Sequence, residues 1–560
     1  MFNPQNPLIV QSDKTILIEV SNPEYGEARD LIGRFAELVK SPEHIHTYKI
    51  SNLSLWNAAA SGMNAGDIIN ILERYSKYDI PDNVQTDIAD HISRYGRLKI
   101  KKENGILMLT SNDSILITEI YNHKRIKPYI LKRIDDLNLE IDPSRRGHTK
   151  QGLTEIGFPA EDLAGYENGE FLNINLLNIS KRNISFKLRD YQIDAVNTFY
   201  AGGSVYGGSG VIVLPCGSGK TLIGMEIISK FKTNTLIITP NIIAARQWIA
   251  ELLDKTNLNK EQIGEYNGEL KEIKPITIAT YQILTYRPKD AEIFPHFSLF
   301  NSRNWGLIIY DEVHLLPAPV FRITAEIQAK RRLGLTATLV REDGCEGDVF
   351  SLIGPKKYDS PWKEIEKQGW IAEANCHEIR IPMNDERRLQ YALAHDKSKY
   401  RLAAENPKKY EIVKKIVAHH RSKKDLILII GMYIEQLKEI SKIFNAPLLT
   451  GTTANKKRME MYEKFKRHEI DLLVVSKIGN FAIDLPDANV MIQVSGTFGS
   501  RQEEAQRLGR IMRPKKDNSV AHFYTIVTKD TKDQDFSANR QLFLTEQGYK
   551  YEILEEYNYE

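Results

Sequence analysis

The chain has 560 residues, 42% hydrophobic and 27% charged, with 76 Lys and Arg against 73 Asp and Glu. That length predicts several domains, and the near-balance of charge excludes a global basic field, so any nucleic-acid site must be local. The three cysteines (Cys216, Cys345, Cys376) are too far apart for a disulfide framework or a paired zinc site, and the lack of a long apolar run predicts a cytoplasmic protein without a membrane span.

Residues 1–145 read as an α+β accessory domain. Helical patterns cover 55–61 and 67–76. The runs Arg97-Leu98-Lys99-Ile100-Lys101 and Ile106-Leu107-Met108-Leu109 on either side of Glu103-Asn104-Gly105 predict a hairpin, because Asn-Gly suits a tight two-residue turn. The stretch 146–182 is rich in Gly, Asn and basic residues, beginning Arg146-Gly147-His148-Thr149-Lys150, and is expected to be a solvated linker.

Residues 183–370 are predicted to form a doubly wound parallel α/β domain. The apolar run 210–214 leads into Pro215-Cys216-Gly217-Ser218-Gly219-Lys220-Thr221, and a helical run follows at 222–228. Strand, glycine loop, Lys-Thr and helix is the arrangement that binds a triphosphate. The backbone of Cys216, Gly217, Ser218 and Gly219 is expected to cradle phosphate oxygens, aided by the positive end of the helix. Lys220 then reaches the β- and γ-phosphates of ATP, and the Thr221 hydroxyl ligates Mg²⁺. Further strand-like runs lie at 235–239, 276–280, 307–310 and 333–336, with helical patterns between them, such as 243–253 around Arg246-Gln247-Trp248. The third of these runs ends in Asp311-Glu312-Val313-His314. A carboxylate at the carboxyl end of a central strand lies beside the phosphate loop in such sheets. Asp311 is therefore expected to hold Mg²⁺, and Glu312 to orient and deprotonate the attacking water.

A second series of strand-like runs (426–430, 472–475, 490–494, 523–527) predicts another parallel α/β domain over 371–540, without a phosphate loop of its own. Two such domains in tandem suggest ATP held between them. The acidic, aromatic stretch 541–560 reads as a C-terminal tail.

With these residues in order, the chain resembles the XPB helicases of superfamily 2. The resemblance rests on Leu188-Arg189-Asp190-Tyr191-Gln192, the phosphate loop, Asp311-Glu312-Val313-His314, Gly334-Leu335-Thr336-Ala337-Thr338, Arg341-Glu342-Asp343, Ile483-Asp484-Leu485-Pro486 and Gln506-Arg507-Leu508-Gly509-Arg510-Ile511-Met512-Arg513. Leu214 stands where the strict phosphate-loop pattern has Gly, and the shortened form is the usual one in helicase-type ATPases. Residues 53–78 are similar to the segment called the damage-recognition domain. Asn480, where eukaryotic members carry Asp, points to a bacterial-type member.

The resemblance implies two RecA-like domains, with Arg189 and Gln192 at the adenine, Asp484 at the nucleotide, and Gln506 in the catalytic set. Arg510 and Arg513, three apart on one helix face, are expected to supply cations to the leaving γ-phosphate. Thr336 and Thr338 are expected to couple nucleotide state to DNA. Thr239, Thr280, Gly451, Thr452, Ser476 and Lys477 are expected to grip a strand through phosphate contacts that form and release. Arg341, Glu342 and Asp343 are expected at a wedge, and a thumb-like insertion near 384–410 at duplex DNA.

The reading that follows is a monomeric DNA translocase and helicase of 3′ to 5′ polarity acting in repair. No nuclease constellation is apparent, so cutting would fall to a nuclease partner. An RNA helicase of the same superfamily, or a DNA-binding scaffold with weak ATPase, remains the alternative.

Overall fold

The computed structural model describes residues 2–40, 44–288, 294–328, 330–338, 346–476, 488–512 and 520–555. It divides into two compact units, one made of Met1–Leu214 and Gly219–Ser360, the other of Pro215–Ser218 and Pro361–Glu560.

The first unit opens with a four-stranded antiparallel sheet in the order Leu8–Val10, Thr15–Glu19, Ile45–Lys49, Glu37–Lys40, covered by amphipathic helices that include Tyr25–Ile32 and Ala65–Tyr75. The predicted hairpin pairs Lys99–Glu103 with Ile106–Thr110. Its turn places both Asn104 (φ 50°) and Gly105 (φ 81°) in the left-handed region, as a two-residue type I′ turn demands. This hairpin anchors a separate five-stranded sheet with its own core of Leu98, Ile100, Leu107, Leu109 and Leu139.

The expected linker is corrected over its first part. Residues Arg146–Glu155 form a helix, and Glu161–Asp162 adds a strand beside Lys99–Glu103. Arg146 and Lys150 are buried, not solvated. Arg146 Nη2 lies 2.6 Å from Asp162 Oδ1, and Lys150 Nζ lies 3.2 Å from Asp162 Oδ2 and 3.1 Å from Gln328 Oε1. The shared carboxylate makes burial of two cations tolerable. Burial still holds the Lys150 ammonium down to about 8. A Cβ at Gly147 would meet the Ala325 carbonyl at 2.3 Å, so glycine lets this helix approach the backbone of Ala318–Glu326.

Seven parallel strands follow: β1 (Ser209–Val213), β2 (Thr235–Thr239), β3 (Ile263–Tyr266), β4 (Ile276–Thr280), β5 (Leu307–Asp311), β6 (Arg331–Thr336) and β7 (Lys356–Asp359). Their order is β3-β4-β2-β5-β6-β1-β7. Strands β1, β2 and β4 are buried at every residue, which explains why they read as unbroken apolar runs instead of alternating ones.

The second unit holds β8 (Ala374–Ile381), β9 (Ile427–Ile430), β10 (Leu448–Leu449), β11 (Leu472–Val475), β12 (Val490–Gln493), β13 (Ala521–Thr528) and β14 (Tyr551–Leu554). Their order, β10-β11-β9-β12-β13-β8-β14, repeats the first sheet's winding strand for strand.

Two boundaries differ from expectation. The unit break falls after Ser360, ten residues before the predicted 370, because Trp362 packs its ring 5.7 Å from Phe543 and donates its backbone N–H to Gln547 Oε1. The expected tail is also largely structured: the helix Lys532–Glu546 runs into it, and β14 pairs with β8. Within the thumb-like stretch the structure forms the helices Asp385–Leu393 and Asp396–Ala404.

Candidate ATP-hydrolysing site

β1 delivers the chain to the phosphate loop, and the helix Lys220–Phe231 leaves it. Gly217 (φ 81°) and Gly219 (φ 83°) adopt left-handed backbone that a Cβ strains. At Gly219 a Cβ would also meet Gln192 Nε2 at 2.5 Å. Gln192 is itself fixed, because its Oε1 accepts from Arg189 N at 2.9 Å. Arg189 Nη1 in turn donates to the Tyr191 hydroxyl at 2.9 Å. Within the loop, Ser218 Oγ donates to Pro215 O at 2.7 Å, and Cys216 forms no disulfide. Lys220 Nζ donates to Leu214 O at 3.1 Å, which folds the ammonium back toward the end of β1, and Thr221 follows it in the first helical turn.

β5 lies one strand from β1, with β6 between them. It ends at Asp311, and Glu312 then turns into the left-handed region (φ 50°, ψ 56°). That conformation costs a non-glycine residue of order 1–3 kcal/mol and is kept where the surroundings impose it. Asp311 Oδ2 accepts the indole N–H of Trp248 at 2.9 Å, and its backbone carbonyl accepts the Tyr281 hydroxyl at 3.1 Å. Burial, then the neighbouring Glu312 charge, pushes the Asp311 carboxyl up to about 6, opposed by the Trp248 N–H and the Lys220 ammonium. Glu312 Oε2 is buried without a hydrogen-bond partner, 3.4 Å from His314 Nδ1. His314 spends that nitrogen on Thr336 Oγ1, at 2.6 Å, and so ties the end of β5 to the end of β6.

A buried carboxylate oxygen with no partner is a costly feature in a folded protein and needs a reason. An ammonium, a hydroxyl and two carboxylates around a glycine loop are the donor set for a Mg²⁺–triphosphate, and the unbonded Glu312 oxygen is free to take a proton from water. The residues present therefore fit ATP and Mg²⁺.

The structure brings Arg189, Gln192, Gly219, Lys220, Thr221, Asp311, Glu312 and Thr336 into one region of the first unit. Thr338 is buried beside them, with its N–H on Thr336 Oγ1 at 3.2 Å. Gln506 lies buried on the helix Arg501–Ile511 of the second unit; Arg510 stands on the same helix with its side chain outside the described set. The arginine seen in detail there is Arg507, fully buried and hydrogen-bonded to Gln493 and Glu503. Arg513, Asp484, Lys477, Arg341, Glu342 and Asp343 lie outside the described residues.

Among the strand-gripping candidates, Thr239 and Thr280 are buried and use their hydroxyls locally. Thr239 Oγ1 donates to the carbonyls of Ala279 and Asn241, and Thr280 Oγ1 caps Ile283 N. The exposed group beside them is Gln282. Gly451 and Thr452 sit exposed on a turn, and Ser476 is buried at the end of β11.

The sequence gives no sign of the bonds from Trp248 and Tyr281 to Asp311, and the strand-gripping place expected of the triplet around Tyr281 differs from the hydroxyl's bond to the Asp311 carbonyl. The spacing of Ala245, Trp248 and Leu252 along one helix face marks the tryptophan as buried, and it could have drawn attention to it.

Comparison with known proteins gives three family matches. Residues 365–560 match ERCC3/RAD25/XPB C-terminal helicase, residues 185–341 match Type III restriction enzyme, res subunit, and residues 8–135 match Helicase conserved C-terminal domain. The DNA 3′-5′ helicase XPB of Kineococcus radiotolerans is 52% identical, across 98% of this chain and 96% of that protein. The protein of the same description from Mycobacterium tuberculosis is 52% identical, across 98% of this chain and 97% of that one. The general transcription and DNA repair factor IIH helicase/translocase subunit XPB/SSL2 of Saccharomyces cerevisiae is 30% identical, across 98% of this chain and 72% of its own length. By near-full-length identity and by the site it carries, this chain belongs to the XPB helicase family.

Proposed function

We propose that the chain is an ATP-dependent motor that moves on and unwinds duplex DNA with 3′ to 5′ polarity, in the service of DNA repair. The observation that carries this reading is Glu312: a carboxylate held by a strained backbone at the end of β5, with one oxygen buried and unbonded beside Asp311. Relatives of this length and identity named as DNA 3′-5′ helicases support the substrate and the polarity.

The glycine loop and the N-terminus of Lys220–Phe231 bind the phosphates, with Gln192 and Arg189 on the base side. Lys220 turns from the Leu214 carbonyl to the β- and γ-phosphates. Thr221 and Asp311 would hold Mg²⁺, which would supply positive charge to the phosphate oxygens. Glu312 orients water and takes its proton, and Arg510 and Arg513 supply cations to the leaving group. His314 and Thr336 carry the change at β5 to β6, so that loss of the γ-phosphate is felt at the Thr336-Ala337-Thr338 turn. The protein acts as a cytoplasmic monomer, with a nuclease partner for any cutting.

Strand displacement on 3′-tailed duplex DNA, 5′-tailed duplex DNA and 3′-tailed duplex RNA tests this. ATP-dependent displacement confined to the 3′-tailed DNA is expected. Displacement of RNA alone, or of no duplex while ATP is hydrolysed, would overturn the helicase reading.

A further inference from the structure

The carboxylate assigned to Mg²⁺ is not held by its own strand alone. Trp248, 1% exposed, lies on the helix Ile242–Lys255 and donates its indole N–H to Asp311 Oδ2 at 2.9 Å. The far edge of the same ring rests on the phosphate-loop helix. A Cβ built on Gly224 would come within 2.5 Å of the ring's Cη2 atom and within 3.3 Å of Cζ3. One rigid side chain therefore spans from the helix that begins with Lys220 and Thr221 to the acid at the end of β5. The Tyr281 hydroxyl holds the Asp311 backbone carbonyl from the other side, at 3.1 Å. A carboxylate with one oxygen taken by a fixed N–H has one oxygen left to aim, and its rotation about χ2 is arrested.

We propose that Trp248 is a positioning residue for the metal: its indole N–H orients Asp311 toward Mg²⁺, and its seat on Gly224 sets the distance between that acid and the phosphate-loop hydroxyl of Thr221. The inference rests on the ATP–Mg²⁺ reading of this site. The indole touches neither nucleotide nor metal and acts through Asp311. Its loss therefore weakens the metal-dependent part of nucleotide binding and spares the part that the glycine loop supplies.

The test is equilibrium binding of a fluorescent, slowly hydrolysed ATP analogue to the full chain, once in excess Mg²⁺ and once in EDTA, for wild type, Trp248→Phe, Gly224→Ala and Asp311→Asn. Mn²⁺ bound by the nucleotide-loaded proteins is read by paramagnetic resonance, and thermal melting checks folding. The wild type is expected to bind more tightly with Mg²⁺. Trp248→Phe is expected to lose roughly tenfold of that gain, the scale of one hydrogen bond to a charged group, with its affinity in EDTA unchanged. Gly224→Ala keeps the indole but pushes it, and is expected to lose part of the gain and to alter the Mn²⁺ signal, so the proposal stays testable if Trp248→Phe does not fold. A full Mg²⁺ gain in both variants would overturn the positioning role while leaving the site assignment intact. Equal losses in Mg²⁺ and EDTA would reduce Trp248 to packing and overturn it too. A wild type with no Mg²⁺ gain would remove the reading on which it stands.

Discussion

The two seven-stranded sheets have the same winding and opposite chemistry. In the first, β5 ends in Asp311-Glu312, with the Glu312 Oε2 atom left unbonded. In the second, the strand in the equivalent place, β12, ends in Gln493, whose amide donates to Glu504 and whose carbonyl accepts from Arg507. The buried charges around it are matched: Lys409 with Asp533 at 2.7 Å, Arg507 with Glu503 at 3.3 Å and Arg540 with Glu504 at 3.5 Å. Where β1 runs into a glycine loop, β8 runs through Pro382 and Met383 to the helix Asp385–Leu393, capped by Asn384. The fold is shared, and the difference lies in what ends the equivalent strand. β5 ends beside a carboxylate oxygen available for chemistry, whereas Gln493 at the end of β12 spends both ends of its amide on neighbours.

The largest effect on shape belongs in the second unit. Lys409→Ala leaves Asp533 charged and buried, which should cost about 3–5 kcal/mol by chemical denaturation. Nucleotide binding in EDTA should not change while the protein is folded. A loss below 1 kcal/mol would mean that this pair does not hold the second sheet.

Gly219→Ala tests the opposite property in the first unit. The added Cβ meets Gln192 Nε2 at 2.5 Å in a backbone of φ 83°. Nucleotide binding should weaken roughly tenfold or more, since left-handed backbone alone costs about 1–2 kcal/mol. Binding at the wild-type level would show that the loop does not need this conformation.

A smaller, pH-dependent effect separates the two units again. Burial, with the charges of His420 and His377, holds the His522 imidazole down to about 4 from its usual 6.5. A histidine depressed in the folded state binds fewer protons there than in the unfolded chain. Its contribution to stability therefore rises with pH across that window and is lost as pH falls through it. The urea midpoint of the second unit should drop between pH 7 and pH 5, and less steeply in His522→Phe. An unchanged slope in the variant would assign the acid sensitivity elsewhere.

The smallest effect belongs to the accessory hairpin. Gly105→Ala meets no neighbour within 4 Å, so only its φ of 81° resists. A loss of about 1 kcal/mol with unaltered ATP hydrolysis is expected from melting and turnover assays.

The hairpin also shows what was legible in the sequence. Asn104-Gly105 states its turn locally, and the fully buried central strands declare themselves as apolar runs, so β1, β2, β4, β5 and β6 were readable. The edge strands were not. β7, Lys-Lys-Tyr-Asp, looks like a charged loop because it is paired on one side only, and β3, β10 and β14 lie at sheet edges as well. The glycine loop and the Asp-Glu pair were readable because their chemistry is contiguous. The burial of Arg146 and Lys150 was not, because it depends on Asp162, which lies twelve residues or more along the chain and across a helix. The Trp248–Asp311 bond joins residues 63 apart in sequence and exists only once two helices and a strand have packed.

The most direct test of the central claim is ATP hydrolysis by wild type and Glu312→Gln, without nucleic acid, with forked duplex DNA and with structured RNA. Strong stimulation by DNA is expected, with a fall of roughly 10²–10⁴ in turnover for Glu312→Gln and nucleotide affinity retained. Wild-type turnover in Glu312→Gln would contradict the assignment of the unbonded carboxylate, and stimulation by RNA alone would contradict the substrate.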